Sequence, residues 1–195
     1  MRTYYSLSCP SDPMGDDPAP LTYLPDEDAR GWETGVPFSD DPMDFPEERE
    51  PPTTIRFCIH LDDAGALREL WEAPAPVMTR RLARAIRAAG VTNLDLYDAV
   101  IDDRPTGQTH TDYVAFNIIG LARAAEEPLG EQAPLRWVDE DVFRSGAPPE
   151  FLLFRLASMP YYIIVHERVK AHLERAGFGS LRYSEHPIGP ARSAP

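Results

Sequence analysis

A chain of 195 residues with 43% hydrophobic side chains can bury one ordinary core, with room for a small lobe beside it. Its formal net charge of −13 argues against nucleic acid as a direct partner of the whole chain, because phosphates demand a cationic footprint. No run approaches the roughly eighteen apolar residues of a membrane span, and the first residues lack the apolar centre of a signal peptide. Cys9 and Cys58 are too few and too far apart for a disulfide framework or a thiolate metal site, so a cytoplasmic protein with free thiols is expected.

Residues 4–7 read as a short first strand. Residues 9–52 are rich in Pro and Asp, which excludes long helices and central strands. They also hold most of the charge: residues 1–50 carry thirteen Asp or Glu against three Arg, a net of −10. Tyr23, Trp32, Val36, Phe38, Met43 and Phe45 are too apolar for a purely solvated linker. The expectation is an irregular acidic arm, residues 1–52, draped over the domain by aromatic anchors.

The stretch TTIRFCIH at 53–60 places Ile55, Phe57 and Ile59 on one face of a strand. Residues 76–89 set Met78, Leu82, Ala85, Ile86 and Ala89 on one helical face, with Arg80, Arg84 and Arg87 opposite and Gly90 as terminator. Residues 94–101 and 113–119 read as paired strands around a loop at 102–111 that contains a Pro-Thr-Gly turn signal. Residues 137–144 suit a short helix or an extended connection. The closing module reads strand, strand, helix, strand at 151–155, 161–165, 166–177 and 181–183. Its helix carries Val169, Leu173 and Ala176 as a stripe, and Gly177 stands where a left-handed cap belongs. Residues 186–195 read as a frayed tail. The whole is expected to be α+β: residues 53–185 form a mixed, largely antiparallel sheet of five or six strands with two or more packed helices.

Chemistry-bearing residues are sparse. His60, Asp62 and His110 are the candidates for a metal-dependent hydrolase, yet Asp62 reads better as a helix N-cap and His110 as a loop residue. His166 and His172 are six apart on a helix, so they point about 120° apart and cannot share a metal. No nucleophile elbow or phosphate loop is present. The arginine face at Arg80, Arg81, Arg84 and Arg87 reads as a solvated helix face. Asn117, inside an apolar strand, is expected to tie a neighbouring backbone, because an unsatisfied buried amide costs about 1–3 kcal/mol. Arg155, between Phe154 and Leu156, is expected to pair with a carboxylate such as Asp98 or Glu167. The expectation is a binding protein, with no enzymatic role and no cofactor or metal.

Several motifs, in order, are similar to one family. They are Tyr4-Tyr5, the helix to Gly90, LDLY at 94–97, DYVAFNIIG at 112–120, LFR at 153–155, IIVHERVK at 163–170 and GFGSLRY at 177–183. This series resembles the myxobacterial-type immunity proteins of bacterial polymorphic toxin systems, immunity family eleven, over residues 53–183. After Gly120 the chain departs from that pattern with the Ala-rich LARAAEE. The resemblance implies a stoichiometric inhibitor of a cognate toxin, with no turnover, and toxins of this kind often carry basic nuclease domains. An acidic protein suits a cationic nuclease groove. The expected interface has aromatic anchors Trp32, Phe38, Phe45 and Tyr113 inside a rim of Asp40, Asp41, Asp44, Asp102 and Asp103. The alternatives are the hydrolase above and a general acidic interaction module.

Overall fold

The computed structural model describes residues 4–10, 21–23, 32, 34–35, 37, 54–60, 67–73, 75–122, 152–156 and 159–186. Phe38, Asp40, Asp41, Asp44, Phe45, Asp62 and residues 137–144 lie outside them. The fold is α+β. Where one sheet was expected, the described strands form two.

The six-stranded sheet has the order β2 (Thr22–Tyr23), β3 (Thr54–Ile59), β6 (Leu94–Asp103), β7 (Gln108–Ile118), β5 (Val77–Thr79) and β4 (Leu70–Trp71). Only β3 and β6 run parallel within it. The five-stranded sheet has the order β11 (Arg182–His186), β1 (Tyr4–Ser8), β10 (Met159–His166), β9 (Leu153–Leu156) and β8 (Leu121–Ala122), with β8 and β9 parallel. Helices α1 (Arg80–Ala88) and α2 (Glu167–Arg175) each follow directly on a strand.

The predicted helix over 76–89 loses its first turn to β5. Val77 and Met78 pair with Ala115 and Val114, and the β-branched Thr79 completes the strand. Thr79 then caps α1: its hydroxyl accepts from the Leu82 amide at 3.1 Å and donates to Glu69. At α2 the cap is His166, whose Nδ1 accepts from the Arg168 amide at 3.1 Å. Gly177 takes the left-handed conformation, with φ +80°. Ala176, expected on the apolar stripe, is exposed instead.

Strand alternation gives the six-stranded sheet two apolar faces. Val114, Phe116 and Ile118 join the larger core with Leu82 and Ile86 of α1, Val169 and Leu173 of α2, and Leu7, Ile163 and Val165 of the other sheet. Tyr113 and Ala115 point the other way, into a second core with Ile55, Phe57, Ile59, Val77, Ala99 and Ile101. The arm supplies Leu21 and Trp32 to that second core. Trp32 is 1% exposed and meets Tyr97 edge-on at 6.0 Å. Burying such an indole contributes roughly 4–5 kcal/mol by area.

The sheets join at one tight place. Strand β7 ends at Ile118 and β8 begins at Leu121, leaving two residues to cross between sheets. The Asn93 side-chain amide donates to the carbonyls of Ile119 and Leu153, each at 3.0 Å, so one side chain holds both sheets. The Gly120 amide donates to the Gly35 carbonyl at 2.7 Å. Gly35 has φ +71°, and a Cβ there would lie 2.7 Å from Leu121 Cγ. Asn93→Ala, which strands two carbonyls, is expected to cost about 1–3 kcal/mol in urea unfolding. Gly35→Ala adds a clash to a left-handed backbone and is expected to cost roughly 2–4 kcal/mol. A shift below about 0.5 kcal/mol in both would show that the junction does not hold the fold.

Candidate interaction surface

The large hydrophobic side chains that stand exposed among the described residues are Tyr161 and Tyr162, at 71% and 50%. They are neighbours on β10, where strict alternation would hide one of them. The register explains the pair: Met159 opposes Leu156, but Ile164 opposes Phe154, so β10 carries extra residues between those points. Such an irregularity bends the strand and re-aims its side chains. Pro160, which has no amide proton for the ladder, sits within it.

Arg155 braces this bulge. It is 2% exposed, and its Nη1 donates to the Pro160 carbonyl. The expected partner Asp98 is elsewhere, held by Arg80 at 2.8 Å. Glu167, the other expected partner, is exposed in the first turn of α2. The carboxylate that feels Arg155 is Glu72, just after β4. Glu72 is exposed as a residue, but partial desolvation of its carboxyl raises the pKa, while Arg155 and then Arg68 pull it back down. Sequence reasoning missed Glu72 because its neighbour in sequence, Trp71, gives no hint of a guanidinium from another sheet.

Tyr113 is a core residue and not a surface anchor. It is 3% exposed, packs edge-on against Trp71 at 5.5 Å, and donates its hydroxyl to the Arg68 carbonyl at 3.1 Å. Burial, followed by the charge of Asp112, pushes its phenol well above the ordinary value. Trp32 is likewise buried and therefore absent from the free surface. Tyr183 is half-buried beside Lys170, and burial, reinforced by Glu174, lifts its phenol to about 12.

The two rim carboxylates that can be placed serve the β6–β7 hairpin. Asp102 accepts from the Thr109 hydroxyl at 2.9 Å and faces Arg56 at 3.8 Å. Asp103 is 9% exposed, accepts from the Thr106 amide at 3.3 Å and lies 4.0 Å from His110. Asp103 is thus a turn-forming residue and no open rim charge. The strands run on to a turn at residues 104–107, so His110 sits in β7 and not in a loop.

Of the hydrolase candidates, Asp62 lies outside the described residues, and His60 and His110 are not brought together. Asp103 and His110 lie on the face of the second core, whereas His60 turns to the opposite face, with its Nε2 2.9 Å from Cys58 Sγ. Cys58 is 1% exposed and also lies 3.0 Å from the Thr22 hydroxyl. That contact satisfies a buried thiol and leaves it closed to a substrate. Among the described residues no three His, Cys, Asp or Glu side chains are placed to hold a metal ion. Asn117 is wholly buried, facing away from the larger core.

No described helix is long and apolar enough to cross a membrane. The chain matches no family model and no curated protein.

Two stability tests separate surface from core. Tyr161→Ala and Tyr162→Ala are expected to stay within about 0.5 kcal/mol of wild type, whereas Tyr113→Ala is expected to lose about 3–5 kcal/mol. Equal losses at all three would place the tyrosine pair in the core. Glu72 carries the second test. A carboxyl whose folded pKa is raised destabilises the fold once ionised, and this penalty vanishes below its ordinary value of 4.5. Glu72→Gln is therefore expected to melt higher than wild type at pH 7, with the gain gone by pH 4. A lower melting temperature at pH 7 would mean that the attraction of Arg155 and Arg68 outweighs desolvation.

Proposed function

We propose that this protein is an immunity protein, which neutralises a cognate bacterial toxin domain by stoichiometric binding. The observation that carries this reading is the ordered motif series from residues 94–97 through DYVAFNIIG to GFGSLRY, which resembles immunity family eleven. The exposed tyrosine pair supports it from a second direction. Tyrosine is enriched among binding hot spots, where a rigid ring gives contact area at small entropic cost. Here the pair stands on a strand, and a buried arginine fixes the bulge that presents it.

The chemistry also fits a binder. Inhibition of this kind needs a surface that dries well against its target and a field that speeds encounter; it needs no nucleophile or metal. A net charge of −13 attracts the cationic groove of a nuclease, the toxin class this reading favours. The toxin-facing surface is then centred on Tyr161 and Tyr162, in place of the Trp32 and Tyr113 anchors expected from sequence.

Co-expression with the toxic C-terminal domain encoded beside this gene is expected to rescue bacterial growth and give a co-purifying complex. Continued killing with both proteins soluble and unassociated would overturn the reading. Within a complex, Tyr161→Ala/Tyr162→Ala is expected to weaken affinity at least tenfold, read by calorimetry. Unchanged affinity with rescue intact would leave immunity standing and move the interface elsewhere.

A further inference from the structure

Helices α1 and α2 lie antiparallel, and the contacts at their ends show it. Arg81 of α1 donates from Nη2 to the carbonyls of Ala176 and Gly177, at 3.4 and 3.2 Å, just past the end of α2. At the opposite end the Arg168 guanidinium of α2 lies beside Gly90, just past α1; a Cβ on that glycine would be 3.6 Å from its Nη2. Each helix thus sets a cation at the negative end of the other.

With their apolar sides committed to the core, the helices turn Arg84, Arg87, Arg168 and Arg175 to solvent. Arg84 and Arg87 are three apart, and Arg168 and Arg175 are seven apart, so each pair shares a helix face. None of the four forms an ion pair among the described residues, whereas Arg56, Arg80, Arg81 and Lys170 each face a carboxylate. Helix α1 has no acidic residue; on α2 Glu174 is taken by Lys170 at 2.7 Å, which leaves Glu167 in the first turn as its one open carboxylate. Solubility does not require these arginines, because the excess of carboxylates already provides it. A protein of charge −13 therefore keeps four exposed arginines that face no carboxylate on two neighbouring helices; of these, Arg87 donates from Nη2 to the Leu94 carbonyl at 3.4 Å and Arg168 lies at the end of α1.

We propose that this face is a docking surface for a carboxylate-rich segment of a partner protein. Guanidinium groups hold carboxylates through paired, planar hydrogen bonds that lysine cannot supply. The size of the face selects the partner class. Nine helical residues span about 14 Å, so a nucleic-acid strand would soon run past the arginines onto a net anionic protein. A short extended peptide, at about 3.3 Å per residue, sets several carboxylates over the face without that penalty. This surface is separate from the tyrosine bulge and does not depend on the immunity reading.

The test is fluorescence anisotropy of the full-length protein with a labelled ten-residue peptide of alternating Glu and Gly. Binding is expected that weakens with added salt and falls at least tenfold in Arg84→Ala/Arg175→Ala, at an unchanged melting temperature. Absence of binding to wild type, or binding indifferent to the double substitution, would overturn the proposal. So would tighter binding of a ten-nucleotide DNA strand through the same arginines, which would make the face a nucleic-acid site. Peptide binding seen only in Asp40→Asn/Asp41→Asn/Asp44→Asn would also overturn it, by assigning the arginines to the acidic stretch of this chain.

Discussion

The crossing from β7 to β8 is the constraint on which the architecture depends. A chain leaving one sheet at Ile118 and entering another at Leu121 cannot wander between them. Its backbone groups lose their ladder partners at the crossing and must find others, since buried N–H and C=O groups are costly unpaired. Asn93 meets that need with a single amide reaching Ile119 and Leu153, and its own carbonyl accepts from the Ile119 amide at 3.0 Å. Gly35 of the arm completes the arrangement because it alone lets the backbone approach Gly120. Everything else follows from that join. The sheets share the larger core, both helices contribute to it, and the arm is left to cover the opposite face of the six-stranded sheet with Leu21 and Trp32.

The tyrosine bulge is a second consequence of sheet geometry. A buried guanidinium is expensive to desolvate, and a partner chosen only for charge would rarely repay it. Arg155 is placed to do something more specific: it donates to the backbone of the strand that it deforms. The extra residues of β10 cannot relax back into register while that contact holds. Two aromatic rings are thereby fixed in water on a strand otherwise buried at Ile163, Ile164 and Val165. That is a rigid presentation, of the kind that lowers the entropic cost of binding.

Much of the fold was legible because hydrophobic period and caps are local. The strands around Phe57, Ile101, Phe116 and Ile164, the helix ends at Gly90 and Gly177, and the α+β class all follow from patterns within ten residues or so. What escaped was non-local. The sequence suggests one sheet where there are two, because nothing local distinguishes Ile118 from Leu121 as members of different sheets. Tyr113 is expected as an aromatic interface anchor, yet the apolar residues after it, Val114, Ala115 and Phe116, already imply a strand covered on both faces. Pro160 was the available signal for the bulge, since a proline near the start of a paired strand marks an irregular ladder. The electrostatic link between Arg155 and Glu72 is not legible in the sequence, because Glu72 follows a strand of the other sheet.

Charge gives the last link between fold and function. The excess carboxylates reside chiefly in residues 1–50, while the arginines of the described domain differ in what they face. Arg56 and Arg80 face carboxylates on β6, and Arg81 closes the end of α2; these secure the structure. Arg84, Arg87, Arg168 and Arg175 hold no carboxylate and are exposed on α1 and α2, antiparallel neighbours some eighty residues apart in the chain. These arginines lie on exposed helix surface, within reach of a partner's carboxylates without any repacking of the core beneath.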